Sequence, residues 1–275
     1  MDYILHFFSV LSSVGIIGAI IWSGRQWFAE KIKGEIRKDI ESELGDRAAE
    51  RQYRWAAKQR LYSAIGPLRF QLLLSCQDAC DHIASHALTR PSYSLASNNY
   101  YGQSTLYRLL RPMVITELIE RQIAFADFSV DPDAINILRF KKAAFGAFKG
   151  EQVILNHPNA DWDRQVEHVY HHSLTNAACA LIIENEKTDS IPMNFQEFQD
   201  FLKHKSNLNK ISPFPKMIES FKIDEMPIFW IRLVAFCYLC ARFVESHKAN
   251  LPIESRVVDV KTLLRVAPDE FIVRN

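Results

Sequence analysis

Five cysteines and nine histidines supply the groups from which this chain of 275 residues could build a reactive or metal-binding centre. Cys76 and Cys80 are four apart and Cys237 and Cys240 three apart, so either pair would share one face of a helix and could supply half of a four-cysteine zinc site. Their surroundings, LLLSCQDAC and AFCYLCAR, are apolar and lack the knuckle turns of zinc ribbons, which favours buried free thiols with no metal and no cofactor. His168, His171 and His172 fall with Asp163, Arg164 and Glu167 in a stretch expected to be one helix over 161–186. His168 and His172 at i,i+4 could clamp a metal, but Val169, Tyr170 and His171 between them do not make the HExxH pattern. A polar surface cluster of Arg164, His168, His171 and His172 is the expectation. Glu151 and Gln152, just after Gly150, either start a helix or make a buried polar contact with Arg108 or Arg111. There is no phosphate loop, no GxGxxG and no GxSxG elbow.

A different pattern closes the last long apolar stretch, where Arg242 and His247 frame the segment RFVESH. An Arg followed by a His at this spacing on a helix resembles the motif of HEPN domains, helical nucleases and nucleic-acid-binding modules of bacterial defence and toxin systems. The resemblance implies that Arg and His from two protomers converge on an RNA phosphate, with Arg242 stabilising the developing charge and His247 acting as acid or base. Phe243 stands where that family usually has a polar residue. Arg164 and His171 form a second Arg-to-His spacing. A membrane helix followed by a helical domain ending in this motif is also similar to small membrane accessory proteins of RNA-targeting CRISPR systems. That likeness implies assembly at a membrane, in pores as proposed for those proteins, with a motif that need not cleave RNA. The segments STLYRL (104–109) and FKGEQVI (148–154) resemble parts of bacterial helical membrane proteins and imply no chemistry.

The element that must position all of these is at the start of the chain. Residues 3–22 (YILHFFSVLSSVGIIGAIIW) contain no Asp, Glu, Lys or Arg, and as a helix they can cross a hydrocarbon core of roughly 30 Å. Asp2 is the only charge ahead of them, unlike a secretory signal, so an uncleaved anchor at 1–23 is expected. Arg25, Lys31, Lys33, Arg37 and Lys38 follow, which predicts a single-pass inner-membrane protein with its N-terminus outside and the remainder in the cytosol. In that reducing compartment an odd number of cysteines argues against a disulfide framework. Trp22 and Trp27 fit the membrane interface, and Ser9, Ser13, Gly15 and Ala19 form two small-xxx-small pairs that would let span helices approach.

From 24 to 61 the chain reads as an amphipathic stalk. Lys31 with Glu35, Arg37 with Glu41, Glu43 with Arg47 and Glu50 with Arg54 are opposite charges at i,i+4, while Gly34 and Gly45 each weaken the helix by about 1 kcal/mol relative to Ala. Phe28, Ile32, Ile36, Ile40 and Leu44 recur every four residues, a stripe that drifts about 40° per step and suits either a partner strand or the chain's own bundle. Residues 62–275 then form the cytosolic helical domain. Its expected helices are 61–88 with a kink at Pro67, 105–126 capped by Ser104 or Thr105 and kinked at Pro112, 133–148, 161–186, 194–205, 215–221, 226–247 and 257–266, with the Tyr-rich loop 89–103 as an exposed contact surface. The segment 228–241 is apolar enough to suggest a second span, but Arg232 interrupts it after four apolar residues, which favours a buried bundle helix.

Hydrophobic residues at 48% and charged residues at 24% are enough for a real core, and a net charge of +1 gives no global attraction to nucleic acid. The fold class expected is all-α, an N-terminal transmembrane helix continuing into a stalk and a cytosolic bundle. The expected function is a membrane-anchored homo-oligomeric effector or assembly component of a bacterial antiviral or stress system, partnered by the bilayer and by a defence protein or RNA. Alternatives are a membrane-tethered HEPN-like ribonuclease and a membrane-tethered adaptor using the Tyr93–Tyr101 loop.

Overall fold

The computed structural model describes residues 2–124, 127, 130–150, 167–184, 190–247 and 262–263, with side chains from Trp27 onward apart from 28, 29 and 132. Among them are eight helices and one minimal ladder: α1 (Asp2–Thr89), α2 (Tyr100–Ile123), α3 (Pro132–Lys149), α4 (His171–Ala180), β1 (Ile182–Ile183), β2 (Ile191–Pro192), α5 (Phe195–Leu202), α6 (Lys205–Lys210), α7 (Phe214–Glu219) and α8 (Pro227–Ser246). The chain divides into two compact units between Ala57 and Lys58.

The first unit is helical throughout, and every residue from 30 to 55 is exposed. Three of the four expected charge pairs form, Arg37 with Glu41 at 2.9 Å, Arg47 with Glu43 at 2.7 Å and Arg54 with Glu50 at 2.7 Å. Lys31 instead lies over the Trp27 ring at 5.3 Å. The stalk and the 61–88 helix are not separate elements: α1 is continuous, with Pro67 inside it. Ser9, Ser13, Gly15, Ala19 and Trp22 contribute only backbone, so the packing expected of their side chains lies outside the described residues.

The second unit holds the core. α8 packs on α3, and α2 on α4 and α3. Phe148, at the end of α3, gathers Phe214, Phe229 and Phe236 around itself with ring centroids 5.3 to 6.4 Å apart. α8 is long and apolar enough to cross a membrane, yet two thirds of it is buried, as expected for a bundle helix.

Local chemistry explains the boundaries. α3 starts at Asp131, whose carboxylate accepts the Asp133 amide, and ends at Gly150. α5 starts with a reciprocal capping box between Asn194 and Glu197. α2 begins earlier than expected, because Asn99 Oδ1 accepts the Gly102 amide at 2.6 Å; Ser104 and Thr105 are buried inside the helix and do not cap it. The largest correction is at 161–186. The described helix there spans only His171–Ala180, and the β-branched Ile182 and Ile183 pair antiparallel with Pro192 and Ile191. Residues 151–166 and the tail beyond 263 lie outside the described residues, and with them Arg164, the Glu151 and Gln152 contact and most of the 257–266 helix.

The tight start of α2 generates a test. A Cβ on Gly102 would sit 2.2 Å from the Ala96 carbonyl oxygen and 2.5 Å from that of Leu95, whereas one on Gly146 would meet nothing within 4 Å. Thermal unfolding should therefore show Gly102→Ala melting several degrees lower, and Gly146→Ala unchanged or stabilised by up to about 1 kcal/mol through helix propensity.

Candidate functional site

Arg242 and His247 occupy different surroundings on α8. Arg242 is exposed and lies over the Tyr238 ring, with Nη1 3.5 Å from the hydroxyl. His247 is only 5% exposed. Its Nδ1 lies 2.8 Å from the Phe243 carbonyl oxygen and its ring packs on Phe243 at 4.6 Å, so the imidazole closes the C-terminus of α8. The convergence that the HEPN resemblance implies needs both side chains on one accessible face, and within the chain only Arg242 is accessible.

The histidine cluster also divides. His168 precedes α4, so the i,i+4 helical clamp with His172 does not form. His171 and His172 are exposed at the start of α4 with ring centroids 5.7 Å apart, and Lys149 Nζ donates to His171 Nδ1 at 3.3 Å. His168 turns inward, where Arg232 Nη2 donates to its Nδ1 at 3.4 Å. Burial, then the Arg232 charge, lowers the pKa of His168.

That contact belongs to a buried charged node. Arg232 is fully enclosed, with Nη1 donating to the carbonyl oxygens of Ala147 (2.9 Å) and Gly150 (3.0 Å) and Nε to that of Glu167 (3.1 Å). The Glu167 carboxylate accepts the Ile228 and Phe229 amides at 2.7 and 3.1 Å. A cation thus covers the last carbonyls of α3 and an anion the first amides of α8, each at the dipole end that favours it. Burial pulls the Arg232 pKa down to about 10, against the opposing effect of Glu167, leaving the side chain charged near neutrality.

The four paired cysteines are all buried, and α1 and α8 bring the two pairs together: Cys80 donates its thiol to the Cys237 carbonyl oxygen at 3.3 Å. Burial raises the Cys76 and Cys240 pKa values, and contact with Cys80 followed by burial raises that of Cys237. Cys76, Cys237 and Cys240 pack as small apolar groups, while contact with Cys237 and then Cys240 holds the Cys80 thiol well below the usual range. Among the described residues no three His, Cys, Asp or Glu side chains are grouped to hold a metal ion.

What sequence reasoning did not assemble is a cleft of about 330 Å³ between α1, α2 and α5. Gln71, Ser75 and Asp78 come from α1; Tyr100, Ser104, Tyr107, Arg108 and Arg111 from α2; and Phe195 from α5. Arg108 donates to Ser104 Oγ. Arg111 lies over the Tyr107 ring at 5.2 Å and reaches the Met193 carbonyl oxygen at 3.4 Å. Phe195 meets the edges of Tyr100 and Tyr107 at 5.6 and 5.3 Å. The sequence signal was the one-turn spacing of Arg108 and Arg111, but the opposing α1 face is 30 or more residues away. Next to the cleft, Thr105 donates its hydroxyl to the Tyr101 carbonyl oxygen (2.8 Å), so His82 Nε2–H donates to Thr105 Oγ1 (2.6 Å).

No family model matches the chain, and no curated protein or solved structure matches it significantly.

Two measurements test these arrangements. Arg232→Met strips the donors from the enclosed carbonyl oxygens of Ala147, Gly150 and Glu167 and should cost about 3–5 kcal/mol in unfolding free energy, whereas the exposed Arg242→Ala should shift it by under about 0.5 kcal/mol. His82 is held neutral, its pKa lowered from 6.5 to about 4 by burial, with the Arg108, His86 and Arg90 charges adding to the effect. The unfolded chain therefore takes up a proton first as pH falls, so the stability due to His82 is intact above pH 6.5 and lost progressively down to about 4. Melting temperature against pH should fall less steeply over that window in His82→Gln than in the native chain.

Proposed function

We propose that this chain is a membrane-anchored helical module that self-associates through its first helix and acts at the bilayer by assembly, without catalysis of its own. One observation carries the reading. Ile32, Ile36, Ile40 and Leu44 line up along the helix at 50, 52, 51 and 54% exposure, with Trp27, Tyr53 and Trp55 also exposed. Such a stripe is costly to leave in water and is the usual mark of an interaction face. The partner that fits is a second copy, because the flanking charges alternate in sign along the helix, as a self-complementary seam requires.

The bilayer enters through residues 3–22, which carry no charged side chain and continue into the same helix. The basic residues from Arg25 to Lys38 support a cytosolic second unit. α8 takes no part in spanning, since Arg232 draws its hydrogen-bond partners from within the bundle. The bacterial antiviral setting rests on the resemblance to helical defence proteins alone.

Native mass measurement and crosslinking of the full chain in detergent should give an oligomer, and Ile32→Ser/Ile36→Ser/Ile40→Ser/Leu44→Ser should reduce it to a monomer with the melting temperature of the second unit unchanged. A monomeric native chain overturns the proposal. Liposomes carrying the native protein should leak dye, and those carrying the stripe variant should not. RNA cleavage that Arg242→Ala abolishes would make the chain a nuclease instead.

A further inference from the structure

The cleft between α1, α2 and α5 differs from the rest of the bundle in how its cations are treated. Three cations at other helix contacts of the second unit are matched with carboxylates, Arg69 with Asp133, Lys141 with Glu117 and Glu120, and Arg121 with Glu117 and Glu184, while the enclosed Arg232 spends its donors on carbonyl oxygens and His168. Arg108 and Arg111 are partly buried too, yet among the described residues neither takes part in an ion pair. Each guanidinium carries five N–H donors, and the contacts described here, the Ser104 hydroxyl for Arg108 and the Met193 carbonyl oxygen for Arg111, use few of them. Both guanidinium groups line the cleft, and each keeps donors beyond these contacts with which it can meet an anion placed there. Burial lowers the Arg111 pKa, and the Asp78 charge acts in the opposite direction without closing an ion pair.

The other walls indicate what the anion is attached to. Arg108 and Arg111, three apart on α2, face the same space. Beside them Tyr100, Tyr107 and Phe195 make an aromatic side, and Asp78 and Gln71 stand on the α1 side. A phosphate matches paired guanidinium forks, a flat ring matches the Tyr100 and Phe195 rings, Tyr107 being covered by Arg111, and Asp78 accepts from the hydroxyls or ring N–H groups of the same molecule. The volume of 330 Å³ is at the small end of ligand pockets and suits a single nucleotide unit. We propose that this cleft binds a nucleoside monophosphate or a ligand of the same chemistry, with its phosphate on Arg108 and Arg111 and its ring against Tyr100 and Phe195. The site lies wholly within the second unit and makes the bundle a ligand-responsive partner of the anchor; it does not depend on self-association.

Isothermal titration of the full chain in detergent decides the matter, using the four ribonucleoside monophosphates, the corresponding nucleosides and inorganic phosphate. At least one monophosphate should saturate at submillimolar concentration, tenfold or more tighter than its nucleoside and than inorganic phosphate. Arg108→Gln/Arg111→Gln should weaken it tenfold or more while the unliganded melting temperature stays within a few degrees. Arg111→Lys keeps the charge but loses the planar fork, so it should weaken binding by less and serves if the double variant fails to fold. The proposal is overturned if no monophosphate saturates by low millimolar concentration, if inorganic phosphate binds as tightly, or if the arginine variants bind as the native chain does.

Discussion

A cation held inside the bundle without solvent sets the geometry of the second unit. Arg232 and Glu167 are each too costly to bury alone, and each is used at a helix end whose backbone groups would otherwise be orphaned. The guanidinium takes the last carbonyls of α3 and the carboxylate takes the first amides of α8, so two helices that pack on each other are also tied at the point where one stops and the other starts. The aromatic cluster around Phe148 can slide by a fraction of a side chain at little cost. Directional hydrogen bonds to a planar fork cannot, and they fix the register of α3 against α8.

The same node explains what could and could not be seen in the chain beforehand. Arg232 in the middle of an apolar run was visible as an anomaly and pointed correctly to a buried helix, because a charge at that depth needs protein partners. Its partners were not visible, since Glu167 lies 65 residues away in a segment expected to be a helix over 161–186, and the Ala147 and Gly150 carbonyls lie 82 to 85 residues away at the end of α3. The i,i+4 charge pairs of the first unit were legible because both partners lie within one helical turn. Helix ends were legible where short polar side chains stood alone, as at Asp131 and Asn194, and misplaced where Asn99 competed with Ser104 and Thr105 for the same role.

Candidate chemistry was harder to read, and for a physical reason. Spacing along a helix reports which side chains share its face but not whether that face meets solvent or a neighbour. Arg242 and His247 share α8, yet one is solvated and the other is turned under Phe243 as a helix terminus. The cysteine pairs showed the converse. Each was recognisable as one face, and the burial of both faces against each other required the fold. The cleft was hidden for the same reason, since its two walls belong to different helices.

The meeting of Cys80 with Cys237 has a bearing on biosynthesis. These residues stand 157 positions apart, one in α1 and one in α8. The core that both helices close is therefore incomplete until α8 has left the ribosome, and the apolar face of α1 has to be shielded meanwhile by chaperones or by provisional contacts with α2 and α3. Residues 3–22 emerge well before that point, so under the membrane reading targeting precedes folding, and the bundle would be assembled while already tethered. A truncation that removed α8 would leave the apolar face of α1 uncovered and present the quality-control machinery with an exposed hydrophobic surface.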